Sequence, residues 1–281
     1  MNTHPLDLFT ALSADIQNAD VFYGHTTPAY WNMVGPFGGV VAAIAMRSVL
    51  MHPKLLGEPI SITANFAAAM SEGAFSVLTR PVRTNRSTQH WIIEINQTNA
   101  ANESQLVLSA TVVTAARRST WGVNDLPMPQ VVPAASIERA KRTAPITWIE
   151  RYDMRPIVGG FPEKFDNSIS DLSAEQASLT QIWLKDEPAR ALDFISLTAL
   201  ADVFFPRIWL RRLSPVPIGT VSMTVYFHAS GAGLAQVGSD SVLGQARGQV
   251  FVDGFFDQSG ALWSAQGHTL ATTHQIVYYK E

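Results

Sequence analysis

Cysteine is absent from the 281-residue chain. There is thus no disulfide, no thiolate nucleophile and no cysteine-held zinc, which fits a reducing, cytoplasmic setting. Charge is also scarce: Asp, Glu, Lys and Arg make up 15% of residues, against about 25% in an ordinary soluble domain. With 47% hydrophobic residues, that scarcity excludes disorder. It points to a large core and to further burial in a homo-oligomer. The net charge of -3 supplies no basic stripe for nucleic acid. Gly and Pro number 18 and 16, too few for a collagen-like or low-complexity chain.

Long apolar runs are missing as well. Val40 to Met46 is too short to cross a bilayer. The apolar region from Ile195 to Leu210 is broken by Asp202, Pro206 and Arg207. Met1 to Asp20 carries no Lys or Arg, so it lacks the basic start of a targeting peptide. The chain reads as a soluble, cytoplasmic protein with no membrane partner. No Gly-x-Ser-x-Gly elbow, P-loop, Gly-x-Gly-x-x-Gly or His-Glu-x-x-His occurs. The seven His are scattered, and neither a metal nor a cofactor is expected.

What is present is a repeated layout. Gly39 to Leu50, GVVAAIAMRSVL, is apolar on every side until Arg47, as in a helix surrounded by protein. Asp193 to Phe205, DFISLTALADVFF, reads as a second buried helix, capped by Asp193 and stopped or bent at Pro206. Strand-like runs follow each helix, mostly rich in Val, Ile, Thr and aromatics. After the first they are Ser61–Phe66, Phe75–Arg83, Thr88–Gln97 and Gln105–Thr114. After the second they are Gly219–His228, Gly231–Val242, Gln245–Phe256 and Ala261–Val277. Polar turns are read at Asn99–Glu103 and Asp257–Gly260. Gly39 to Ala101 is 62 residues and Asp193 to Ser259 is 66. Residues 119–146, with three prolines between Asp125 and Pro133 and a charged patch Glu138–Arg142, read as a linker. The expected domains are 1–118 and 147–281. The alternative is one large α+β domain with accidental symmetry. Two helix-plus-sheet units joined edge to edge hide their sheet edges and leave a cleft between them.

Several stretches resemble the double-hotdog acyl-CoA thioesterases, the thioesterase II family. Gly35-Pro-Phe-Gly-Gly-Val-Val-Ala-Ala43 is similar to the turn that opens the family's first helix. Leu197-Thr-Ala-Leu-Ala-Asp202 is similar to its helix with a buried aspartate. Ile218 to His228 resembles a strand ending in aromatic-Phe-His, and Ala246 to His268 resembles the closing hairpin. The resemblance covers nearly the whole chain. It implies an α+β fold, a double hotdog with two long helices, each wrapped by a curved antiparallel sheet. It implies hydrolysis of an acyl-CoA to a free acid and CoA, a place in fatty acid metabolism, and no cofactor. In that family an Asp, a Thr or Ser, and a Gln hold and activate the attacking water.

Carried over by motif, the Asp is Asp202 and the Thr is Thr220. A carboxylate on an apolar helix has a raised pKa unless paired, which suits a base near neutral pH. The alternative is an exposed helix end, or an ion pair with Arg207 or Arg211. Strict alternation puts Thr220 on the face of Ser222, Thr224 and Tyr226, away from Val221, Met223 and Val225; a bulge or a place at the strand's edge would rescue the assignment. Counted from a turn at Ser259-Gly260, the glutamine position falls on His268, with Gln266 two residues earlier on the same strand face. The third member is therefore either His268 or Gln266. Gly38 and Gly39 open the first helix, where free N–H groups polarise a carbonyl; the alternative is close packing. Arg83, Arg86, Arg211, Arg212 and Arg247 are candidates for the CoA phosphates. A hydratase or dehydratase on the same fold needs an Asp–His pair before the helix, and Trp31 to Gly39 has neither. The alternative from another class is an inactive hotdog that binds acyl-CoA or lipid.

Overall fold

A computed structural model describes residues 3–140 and 146–281. Lys141 and Arg142, the end of the charged patch, lie outside the described residues. The chain opens with α1 (Pro5–Phe9), β1 (Ser13–Ala14), β2 (Val21–His25) and α2 (Gly38–Met51). Four long strands follow: β3 (Glu58–Phe66), β4 (Ala74–Thr84), β5 (Thr88–Thr98) and β6 (Ser104–Ala115). The second half begins with β7 (Tyr152–Val158), β8 (Thr180–Asp186), α3 (Phe194–Leu200) and α4 (Arg207–Arg211). It continues with β9 (Ile218–Phe227), α5 (Gly231–Val237), β10 (Val242–Arg247) and β11 (Phe251–Val252). It closes with β12 (Phe255–Trp263) and β13 (Thr269–Tyr279).

All strands join one antiparallel sheet, in the order β1-β2-β4-β5-β6-β3-β9-β13-β12-β10-β8-β7, with β11 beside β12. Read outward from the centre, the two halves follow the same plan. In each, the strand after the helix sits at the middle and the strand before the helix sits near the edge. The β3–β9 pairing, Ser61 opposite Tyr226 through Asn65 opposite Ser222, fuses the halves and leaves no free edge there. The equivalence extends to detail. Ile60 is an extra residue in β3 against β6, and Val221 is an extra residue in β9 against β13.

The helices lie on the inner face of this sheet. α2 is buried on all sides from Gly39 to Met46, as its unbroken apolar composition requires. Its N-terminus packs on α3, and a Cβ added at Gly39 would meet the Ala199 carbonyl oxygen at 2.6 Å. Segment 119–140 runs over the opposite face. Trp183 and Trp263 donate their indole N–H groups to the carbonyls of Val132 and Leu126, and Met128, Val131 and Ala134 pack against them.

Three expectations need correction. The second helix is short: α3 ends at Leu200, and α4 is a separate turn. Asp193 does cap α3, its carboxylate accepting from the Ser196 N–H at 2.8 Å. Pro206 caps α4 and keeps Phe205 before it out of the helical region, so the chain cannot run on as one helix. The N–H groups of Asp202 and Val203 fall back to three-residue bonds with Ala199 and Leu200. Gly231–Val242 is not a strand. Ser230 caps α5, accepting from the Gly233 N–H, and Gly238 ends it at φ 61°. Lastly, Asp257–Gly260 lies inside β12, and the β12–β13 turn is Ser264 to His268. The 66-residue spacing therefore ended in the middle of a strand.

Candidate active site

The break after α3 points the Asp202 carboxyl at the start of α2. Phe37 caps α2 without a side-chain bond, so the first N–H groups of the helix are available to other acceptors. Gly39 N–H donates to the Asp202 carboxylate. A Cβ on Gly38 would stand 3.0 Å from Asp202 Oδ2, and one on Gly39 would stand 2.9 Å from Asp202 Cβ. Close approach of the two helices thus demands glycine at position 39, whereas a side chain at position 38 would crowd the Asp202 carboxylate. The close packing read from the sequence holds against α3 and Asp202 rather than against the sheet.

Gln275, on β13, donates its Nε2 to Asp202 Oδ1 at 2.8 Å. Burial pushes the Asp202 carboxyl up to about 7, while the Gln275 and Gly39 donors pull it down. Among the described residues no cation offsets the burial. Arg207 is buried too, but it donates to the carbonyls of Phe205, Ser178 and Ala246 and to the Thr180 hydroxyl. Those bonds tie the segment after Asp202 to β8 and β10. Arg211 turns to the carbonyl of Ser170.

Thr220 reaches the same place through an irregularity of its strand. Met223 faces Gln275 across the β9–β13 ladder, Ser222 faces Ile276, and Thr220 faces Val277. Val221 is the extra residue, and it bulges outward at 38% exposure. Beyond the bulge the alternation is reset. Thr220 therefore shares the inner face with Gln275 and Val277, and it lines a cavity of about 460 Å³ with Gly38, Asp202 and Gln275. Apolar side chains form most of the wall, among them Phe37, Phe66, Phe204, Phe256 and Val277.

His268 and Gln266 are elsewhere. Both sit in the β12–β13 turn, where the carbonyl of His268 accepts from Ser264 N–H and the His268 N–H donates to Ser264 Oγ at 3.3 Å. Gln275 is seven residues further along the strand, about 20 Å or more at the usual rise. The misplaced turn caused the error: counted from Gln266-Gly267 instead of Ser259-Gly260, the same interval lands on Gln275. The arginines proposed for phosphate do not line the cavity among the described residues. Arg212 pairs with Glu281, and Arg83 donates to Asn85.

The equivalent positions in the first half show how special this wall is. Aligned on the two bulges, Thr220 corresponds to Pro59 and Gln275 to Val112. Cross-strand from Gln275 is Gln258, and cross-strand from Val112 is Trp91. α2 carries no carboxylate. The N-terminus of α3 is closed by Asp193 and by ion pairs of Arg190 with Asp193 and Asp7 and of Arg47 with Asp7. Polar groups thus gather at one of the two pseudo-equivalent places.

Comparison with known proteins decides the family. Residues 27–115 match the acyl-CoA thioesterase N-terminal domain and residues 128–279 the acyl-CoA thioesterase C-terminal domain. The chain belongs to the acyl-CoA thioesterase family. A conserved protein of unknown function with a hot dog fold from Alicyclobacillus acidocaldarius is 40% identical, with TM-score 0.89 over 100% of this chain and 99% of that one. An acyl-CoA thioesterase II from Mycobacterium marinum shares the fold at TM-score 0.74 and 14% identity, covering 98% of each chain. The dehydratase domain of PpsC from Mycobacterium tuberculosis, in complex with C12:1-CoA, is similar at TM-score 0.51 and 12% identity, over 99% of this chain and 100% of that one. No curated protein matches the chain. Among the described residues, no helix is long and apolar enough to cross a membrane.

Proposed function

We propose that this member of the thioesterase family hydrolyses an acyl-CoA thioester by a water that Asp202 activates. The observation that carries the reading is a lone buried carboxylate, pushed up to about 7, held by an amide at a helix N-terminus inside an apolar cavity. Asp202 Oδ1 is engaged by Gln275, so Oδ2 takes the proton of the attacking water. Thr220 Oγ1 and the Gln275 amide steady that water. The water oxygen bonds to the acyl carbon, and its proton passes to Asp202. Negative charge builds on the acyl oxygen, where the Gly38 N–H and the positive end of α2 stabilise it. The carbon–sulfur bond then breaks, and the CoA sulfur leaves with the proton that Asp202 held. Free acid and CoA result, and no cofactor is consumed.

The reading needs both halves: 1–118 supplies the helix N-terminus and 147–281 supplies Asp202, Thr220 and Gln275, joined through 119–146. The shared fold with dehydratase domains does not favour dehydration here, because the turn into α2 offers no Asp–His pair. The test is release of free thiol from a panel of acyl-CoAs at pH 8. Catalytic turnover of at least one of them is expected. Stoichiometric binding without turnover across the panel would instead identify an acyl-binding protein.

A further inference from the structure

Four glutamines are buried among the described residues: Gln89, Gln97, Gln258 and Gln275. Three have amide partners. Gln89 bonds the backbone of Lys54 and Leu56, Gln97 bonds that of Ser71, and Gln275 bonds Asp202. Gln258 is the exception. It is 3% exposed, faces inward from β12, and lines the cavity. Among the described residues its amide meets no hydrogen-bond partner. The amide opens onto the cavity, and an amide stripped of water there without a new partner is costly, so a polar ligand group is its natural partner. The fold does not require a polar group there, since the equivalent inner position of the first half is Trp91.

The place of Gln258 says which part of the ligand it meets. Gln275 holds the base and marks the reacting carbon. Gln258 is one strand further on, about 4.8 Å away across the ladder, on a wall it shares with Phe256, Phe204 and Val277. That wall suits the acyl chain. A plain alkyl chain seated there would shut water out and leave the Gln258 amide unpaired. A chain carrying an oxygen would satisfy it, because an amide both donates and accepts.

We propose that Gln258 reads a hydroxyl or oxo group near the thioester, so that the substrate is an oxygenated acyl thioester rather than a plain fatty acyl thioester. The proposal rests on the thioesterase reading above and narrows its substrate class. Sites built to bond a substrate oxygen discriminate strongly against the analogue that lacks it.

The test compares hexanoyl-CoA with hexanoyl-CoAs bearing a hydroxyl or oxo group on the third, fourth or fifth carbon. The native protein is set beside Gln258→Met, a change close in volume whose folding is checked by thermal melting. The native protein is expected to favour at least one oxygenated chain in kcat/KM by roughly tenfold to hundredfold, the worth of one buried unsatisfied polar group. Gln258→Met is expected to erase that preference while still hydrolysing hexanoyl-CoA. No preference in the native protein would overturn the proposal, as would a preference that survives the substitution. Equal loss on every substrate would also overturn it, because the amide would then serve the reacting centre. Binding of the matching thioether analogues, which cannot be hydrolysed, is measured in parallel. If no thioester is turned over, the thioesterase reading fails. The analogue affinities then decide on Gln258 alone: tighter binding of oxygenated chains, lost in Gln258→Met, upholds it, and equal binding overturns it.

Discussion

Asp202 is governed by burial on one side and by two donors on the other. Burial wins and leaves the carboxyl pushed up to about 7. A base must be ionised to act, so kcat/KM is expected to fall about tenfold per pH unit below that value. Gln275→Ala removes a donor that favours the charged form. The midpoint of the profile should then move to higher pH, with activity at pH 7 falling and partly recovering at pH 9. His268→Ala and Gln266→Ala should leave the profile unchanged. The same carboxyl sets a stability trend. Its native pKa lies above its unfolded value, so its contribution is full below about pH 4 and is lost as pH rises through about 7. Asp186, raised to about 6 by burial despite its bond to Ser196, adds a trend of the same sign. The part due to Asp202 is therefore read as the difference between native and Asp202→Asn melting curves. That difference should shift in favour of the variant between pH 4 and pH 8. A constant difference would mean that Asp202 is not perturbed.

At the scale of elements, the site depends on two interruptions: the end of α3 at Leu200 and the bulge at Val221. A third constraint is the contact between α2 and α3. Gly39→Ala would set a Cβ 2.6 Å from the Ala199 carbonyl and 2.9 Å from Asp202 Cβ. It is expected to cost about 1–3 kcal/mol, as overpacking does, and to lower kcat by displacing the base. Unchanged melting and turnover would show that the helices part freely. The two helices differ in how much of them the sequence reveals. Val40 to Met46 announces a buried helix by composition alone. Asp193 to Phe205 has the same composition, yet it unwinds, because the conflict between Phe205 and Pro206 is local while the apolar pattern continues past it. Asp202 was legible as an isolated charge in an apolar stretch. Thr220 was legible as a motif, but its direction depends on a bulge that leaves no composition signal. Gln275 was missed because Asp257–Gly260 has turn chemistry and is nonetheless drawn into a strand by pairing with β13 and β10. The signal that would have found it is Gly267, whose φ of 87° marks the actual turn.

At the scale of the whole molecule, the β3–β9 junction fixes how the N-terminus of α2 meets Asp202. In the proposed mechanism neither half holds a complete site. Separately produced fragments 1–118 and 147–281 are expected to show no turnover, and co-expression should restore it if they pair through β3 and β9. Turnover by the second fragment alone would remove α2 from the mechanism. The asymmetry between the halves puts the polar side chains at one of the two equivalent places. The first half keeps Pro59, Val112 and Trp91 where the second has Thr220, Gln275 and Gln258.

The central claim is that the buried carboxylate of Asp202 activates the attacking water. Its most direct test is the rate of CoA release by Asp202→Asn at pH 8, on a substrate that the native protein turns over, with folding checked by melting. The amide preserves shape but cannot accept the water's proton, so a loss of roughly 10²–10⁴-fold is expected. A folded variant that retains activity within a few-fold of the native protein would contradict the account.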